Sequence, residues 1–298
     1  MLAVALGCGD EAPIADSAIM DGAADGGADV GVDIAPPEIP WLAEGVPPLM
    51  LAPCADGWRE VLVDGVTECD PYPADGPGTC DAGEAHFAGE PACRPIGEPC
   101  PTGDYAVDLP TDGSVVYVNA AAAAGGDGSL AAPYAALSEV GWTTLATGTT
   151  VALGKGAYAG TLPVKEGVRV LGACVRDTRV TGTAGAARDV LTVLDGTGEA
   201  LVRDLTLGAS PKRGVSVREG RALVLDGVLI DHVLDVGLLI LDAGTEVTLN
   251  DVVVRGTQPR ASDGTFGRGI NAEAGVALTA TGLLVEDNHD IGLVVGSV

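Results

Sequence analysis

Between residues 200 and 298, apolar side chains come in short alternating runs, and the runs themselves recur. Aligned on Asp204, Gly227, Asp251 and Gly282, four repeats stand 23, 24 and 31 residues apart. Four and two residues before the anchor lie Ala200/Val202, Leu223/Leu225, Val247/Leu249 and Leu278/Ala280. One and three after it lie Leu205/Leu207, Val228/Ile230, Val252/Val254 and Leu283/Val285. A glycine returns in every repeat, at Gly214, Gly237, Gly269 and Gly292, and it is followed at one and three by Val215/Val217, Leu238/Ile240, Ile270/Ala272 and Leu293/Val295. All 24 of these positions are apolar. Alternation of period two is the strand signature, so each repeat predicts three short strands. The glycine lies ten residues past the anchor in three repeats and eighteen past it in the third, which predicts an eight-residue insertion within GTQPRASDGTFGRG.

A period near 23 with three strands per turn predicts a solenoid: no single repeat buries its own interior, so repeats stack through parallel strands. Parallel crossovers favour right-handed winding. The recurring glycine fits a tight corner where a side chain would clash. An earlier repeat fits around Gly172, with Val168 and Val170 before it and Gly182 ten after, and it puts Cys174 on the outward side of a strand. The carboxyl end, DIGLVVGSV, stops inside a repeat without a polar cap, so continuation of the chain or a covering partner is expected there.

These repeats, with VVYVN…GGDGSLAAPYAAL at 115–137 and GTTVALGKGAYAG at 148–160, resemble the pectin-lyase-like superfamily. The resemblance covers roughly residues 113–298. It implies an all-β fold, a right-handed parallel β-helix solenoid opening with a strand, a Gly-Asp-Gly turn and a short capping helix. It implies little about activity, because that fold carries lyases, hydrolases, adhesins and non-enzymes.

Composition agrees with many turns and few long helices: 44 glycines, 19 prolines and 3% aromatics. The net charge of −26 repels phosphate backbones and anionic lipid, so nucleic acid is not expected as a partner. Cations and neutral or cationic polymers remain compatible.

Upstream of the repeats the chain divides into residues 1–8, an acidic Gly/Ala/Pro linker at 9–49, a cysteine-rich module at 50–110 and the solenoid at 111–298. LAVALGC resembles the end of a bacterial lipoprotein signal, which implies lipidation of Cys8, a membrane contact through that anchor alone and a place in the cell envelope. Ala5 stands where that family prefers Leu, and the usual basic leader is missing. Asp21, Asp25, Asp29 and Asp33 are spaced in Gly and Ala like a self-repelling tether, without the turn and terminal carboxylate of a calcium loop. Setting Cys8 aside leaves six cysteines, Cys54, Cys69, Cys80, Cys93, Cys100 and Cys174, an even number suited to three disulfides in an oxidising compartment. Five lie in the module, so full pairing ties one of them to Cys174.

Candidate chemistry is thin. His86 stands alone in the module, and the cysteine gaps lack zinc spacing. On the outward face, four residues after the anchor, stand Gly208, Asp231, Arg255 and Glu286, which reads as a ladder of alternating charge. His232, Asp235, Asp287, His289 and Asp290 surround it, with Arg260 and Arg268 in the insertion. Asp231, Asp235 and Glu286 are the candidate acid/base residues, and calcium is the one cofactor considered. The expected function is non-enzymatic: a surface presented to polysaccharide or to an envelope protein. The competing expectation is a polysaccharide lyase or glycoside hydrolase using a carboxylate pair on that face.

Overall fold

The computed structural model describes residues 53–112, 114–183 and 189–296; Cys8 and the 9–49 linker lie outside them. The described chain is all-β, with parallel strands in two open sheets and two one-turn 3-10 helices, Leu137–Glu139 and Trp142–Thr144, where a single capping helix was expected.

The larger sheet carries the long strands β12 (Ala200–Ser210), β14 (Ala222–Val233), β16 (Glu246–Arg255) and β18 (Ala277–Glu286). They follow β5 (Val115–Val118), β6 (Thr150–Leu153) and β9 (Arg169–Leu171), with β7 (Gly156–Ala159) and β10 (Thr178–Thr181) alongside. The smaller sheet stacks β8 (Leu162–Lys165), β11 (Leu191–Leu194), β13 (Val215–Val217), β15 (Val236–Ile240), β17 (Arg268–Glu273) and β19 (Leu293–Gly296). Registers follow the repeat: Leu205 pairs with Val228, Val228 with Val252 and Val252 with Leu283. The insertion is confined by the bridge Leu234–Gln258 and the pair Val236–Arg268, so the extra residues lie within 259–267.

The first two predicted strands of each repeat are one long strand bent at the anchor. Asp204, Gly227, Asp251 and Gly282 all take left-handed φ, from 49° to 66°. Five residues on, Ala209, His232, Gly256 and Asp287 do so again. Each left-handed residue turns the strand through a corner while the ladder to its neighbours resumes on both sides. Asp and Gly suit the anchor because they enter that region at least cost.

The recurring glycines avoid the side-chain clash expected of them, and they do so without a left-handed turn. None of Gly214, Gly237, Gly269 and Gly292 has positive φ. A Cβ on Gly237 would lie 2.5 Å from the carbonyl oxygen of Gly269 and 2.5 Å from Val254 Cγ1, and Gly214 and Gly269 are crowded in the same way. These glycines form a column in which each Cα faces the next repeat's backbone. Steric room across the stack, not turn conformation, requires Gly214, Gly237 and Gly269.

The alternating positions build one continuous core. Every inward residue of the first three aligned repeats is at most 2% exposed. The same columns in the last repeat are half-buried, and Val295 is 73% exposed. A second, smaller core lies outside the stack. Leu229, Val253 and Leu284 point outward two residues past their anchors, where the sequence pattern predicts water-facing side chains, and they are buried against Ala85, Phe87, Ile96 and Val175.

Phe87 and Ile96 belong to the cysteine-rich module, which holds the hairpin β1 (Arg59–Val63) and β2 (Val66–Asp70) and the short pair β3 (Glu84–Ala85) and β4 (Arg94–Pro95). The module lies on the corner column. Arg94 makes a two-pronged hydrogen bond to Asp251, 2.8 and 3.1 Å, with its guanidinium over the Phe87 ring. Glu98 N–H donates to Asp204 Oδ1 at 2.8 Å, and Gly97 packs on Gly227 so closely that a Cβ on either would overlap the other.

Three disulfides join Cys54 to Cys69, Cys80 to Cys93 and Cys100 to Cys174. They are consistent with an extracellular or secreted protein. The expected position of Cys174 needs correction. Seven residues separate Leu171 from Arg179, where two separate their register partners Arg203 and Thr206, so five residues are inserted. Cys174 sits in that inserted turn, not on a regular strand, and is 1% exposed beneath the module.

Candidate functional site

The parallel registers bring Gly208, Asp231, Arg255 and Glu286 into one row, as the spacing predicts. The missing side chain at Gly208 lets Arg179 cross it and donate to Asp231 Oδ2 at 3.0 Å. From the other side Arg255 Nε reaches Asp231 Oδ1 at 3.3 Å, and its Nη1 lies 3.9 Å from Glu286. His232 Nδ1 lies 2.7 Å from the same Asp231 oxygen. The left-handed backbone of His232 throws its ring over Gly256, where a Cβ would come within 3.0 Å of it.

Asp231 is thus an 8% exposed carboxylate between two guanidiniums and an imidazole. Burial pushes its pKa up, but hydrogen bonds from His232 and Arg179 and the charges of His232 and Arg255 outweigh that and hold it below the usual range. Glu286 goes the other way: burial and the Asp287 charge raise it, against a weaker pull from Arg255. Two steps of about 4.8 Å separate their strands.

Asp235 belongs to a second network. Its Oδ1 accepts from Arg260 at 3.1 Å, and Arg213 lies 3.8 Å from its other oxygen while also pairing with Asp189. Arg260 and Arg268 flank the Phe266 ring at 4.7 and 4.8 Å, and Arg268 pairs with Asp290. These contacts fold the insertion back onto β14 and β15. All three candidate acids, Asp231, Asp235 and Glu286, face arginine. His289 is exposed at the far edge of the insertion, its N–H bonded to the Thr257 carbonyl.

Sequence reasoning missed the acids at the corner column. Asp204 is 2% exposed under the module. Its pKa is raised to about 6 by burial, with Asp226 and Glu98 adding to this against the Glu98 N–H and Arg203. Arg203 Nε lies 3.1 Å from Asp204 but is not aligned for a hydrogen bond, and its terminal nitrogen is held by Asp108. Local pattern carries no sign of this, because the burial comes from a segment about a hundred residues earlier.

His86, a lone histidine in sequence, is a structural pin: Gly78 N–H donates to its Nδ1 at 2.8 Å and its Nε2 meets the Glu90 carbonyl at 2.8 Å. Cys100, Cys174 and Asp177 converge as metal ligands do, but the two sulfurs are bonded to each other and offer no thiolate.

Among the described residues no helix is long and apolar enough to cross a membrane. What the geometry defines is an all-β protein of stacked parallel strands, with a module on its outer face that two disulfides close internally and a third, Cys100–Cys174, staples to the stack. No family model, curated protein or solved structure matches the chain.

Proposed function

We propose that the stacked sheets are a right-handed parallel β-helix of the pectin-lyase-like kind, and that the protein is a secreted envelope component, anchored through a lipidated Cys8, that contacts polysaccharide without cleaving it. The state of the outer face carries this reading. Asp231 and Asp235 are each tied up by two arginines. The adjacent stripe Leu229–Val253–Leu284 is covered by the module. A glycosidase or lyase needs free carboxylates beside an open groove. The period-two columns, the parallel registers and the three disulfides support the architecture and the address.

One observation favours the competing reading of a carbohydrate-active enzyme. Glu286 is raised and Asp231 lowered, on strands two steps apart, a split that acid and base partners use. The test is a binding and cleavage screen of neutral, amino and uronic polysaccharides on the oxidised full chain, with calcium and with chelator. Binding without product is expected. Turnover that disappears in Asp231→Asn, Asp235→Asn or Glu286→Gln establishes the enzyme instead.

A further inference from the structure

The join between module and stack is closed over a carboxylate. Asp204, the first anchor of the corner column, is 2% exposed. Among the described residues its carboxylate accepts one hydrogen bond, from the Glu98 N–H at 2.8 Å. Gly97 lies so close that a Cβ there would overlap Asp204 Oδ1, which leaves no room for a water between them.

The charges around Asp204 compensate it poorly. On its own strand Arg203 Nε lies 3.1 Å away without the alignment of a hydrogen bond, and both Asp108 oxygens hold a terminal nitrogen of that guanidinium. β14 brings Asp226, the register partner of Arg203, and the module brings Glu98. β9 meets Asp204 through Gly172, which has no side chain. Further along the column Asp251 is occupied by Arg94 and adds its charge to Asp226. Asp204, Asp226, Asp251 and Glu98 thus share two arginines, one of them drawn away by Asp108. A buried carboxylate without a matched cation costs free energy that protonation removes. Burial, helped by the charges of Asp226 and Glu98, accordingly raises the Asp204 pKa to about 6, against the Glu98 N–H and Arg203. The neutral acid favours the docked module, so docking is strongest below about pH 4, weakens as pH rises to about 6 and levels off above.

The module is built to open without coming apart. The Cys54–Cys69 and Cys80–Cys93 bonds close it internally, and Cys100–Cys174 holds its end to the stack. That staple lies two residues past Glu98, so a small swing about it wets Asp204 while the module stays attached. The same swing uncovers Leu229, Val253 and Leu284, which are buried against Phe87 and Ile96. Each stands two residues before Asp231, Arg255 or Glu286 on its strand, so opening joins an apolar stripe to the charged row. We propose that the module is a pH-responsive cover hinged at Cys100–Cys174, held shut in mild acid and opened more often as Asp204 ionises, so that the Leu229–Val253–Leu284 stripe is uncovered toward neutral pH.

The experiment is amide hydrogen exchange of the oxidised full chain from pH 4 to 7, followed residue by residue by NMR and corrected for the intrinsic pH dependence of exchange. The Glu98 N–H reports the join, and amides of the β14–β16 ladder report the stack. Glu98 is expected to be less protected than the ladder at every pH, which marks an opening separate from global unfolding. A carboxyl at about 6 when docked and at its ordinary 3.8 when wetted raises the opening equilibrium by roughly fiftyfold between pH 4 and 7, and Glu98 protection should fall by that factor. Asp204→Asn should abolish most of the fall. Exchange of Glu98 only as slow as the slowest ladder amides would overturn the separate cover. Equal protection at pH 4 and 7, or an undiminished fall in Asp204→Asn, would overturn the role of Asp204. The first two readings are made on the parent protein and decide the matter even where the variant does not fold.

Discussion

Two chemically identical substitutions in one glycine column should have opposite effects. Alanine at Gly237 meets no backbone penalty, because that residue is not in the left-handed region. Taken alone, the change stabilises by about 0.4–1 kcal/mol through the unfolded chain. In the stack, however, the new methyl would lie 2.5 Å from the Gly269 carbonyl oxygen and 2.5 Å from Val254 Cγ1. One of these is backbone fixed by the β15–β17 ladder, and the other is a fully buried side chain. Neither yields cheaply, and overpacking of this kind costs about 1–3 kcal/mol. With two such contacts the upper part of that range applies, for a net loss of about 2 kcal/mol. At Gly292, in the last described repeat, the nearest atom to an added methyl is Val285 Cγ1 at 3.5 Å, an ordinary contact. Gly292→Ala is expected to be neutral or to stabilise by about 0.5 kcal/mol. The assay is thermal and urea unfolding of the oxidised protein followed by circular dichroism. Gly237→Ala should lower Tm by about 4–8 °C and Gly292→Ala should not lower it. Equal shifts for the two variants, or a larger loss at Gly292, would refute the steric explanation of the repeating glycine.

Other substitutions probe the module and the charged face. Asp204 has a folded pKa near 6, above that of the unfolded chain, so its ionisation opposes folding: stability should fall as pH rises from about 4 to about 6 and then level off, by a few kcal/mol in all. Asp204→Asn, which tolerates the left-handed backbone and keeps an acceptor for Glu98, should flatten that part of the pH–stability curve; denaturation series at pH 4 to 7 with equal slopes in both proteins would contradict it. Asp231→Ala should destabilise by about 1–3 kcal/mol because it leaves Arg179 without its carboxylate and Arg255 with Glu286 alone, while Glu286→Ala, more exposed and 3.9 Å from its arginine, should fall within about 0.5 kcal/mol of the parent in the same assay. Replacing Cys100 and Cys174 together by serine opens a loop with a sequence separation of 74 residues and should cost about 4 kcal/mol by chain entropy, read as a drop in urea midpoint; an unchanged midpoint would mean that non-covalent contacts alone hold the module.

The period-two columns of residues 200–295 were legible because each reports a purely local fact, the face on which a side chain lies, and the repeat states that fact four times. They define the inward core, the three strand stretches, the row Gly208–Asp231–Arg255–Glu286 and the span containing the insertion. Six paired cysteines were likewise countable. The side-chain clash at the glycines was expected as well; what the pattern did not show was its partner, the backbone of the neighbouring repeat. A glycine needed for a left-handed corner and one needed for close stacking look alike in sequence, and only the neighbouring repeat distinguishes them. The left-handed corners went instead to the anchors, where Asp and Gly alternate.

The docking of the module, which happens once rather than every 23 residues, was decided by tertiary structure. Leu229, Val253 and Leu284 alternate as outward residues should, yet they are buried, because Phe87 and Ile96 arrive from a segment with no repeat. Arg94 finds Asp251 across 157 residues, and Glu98 finds Asp204 across 106. The same docking buries Asp204 and raises its pKa. Local alternation depends on backbone geometry common to all strands and is written into each stretch. Docking depends on the match of two particular surfaces brought together by folding, and neither surface carries a mark of the other in its own sequence.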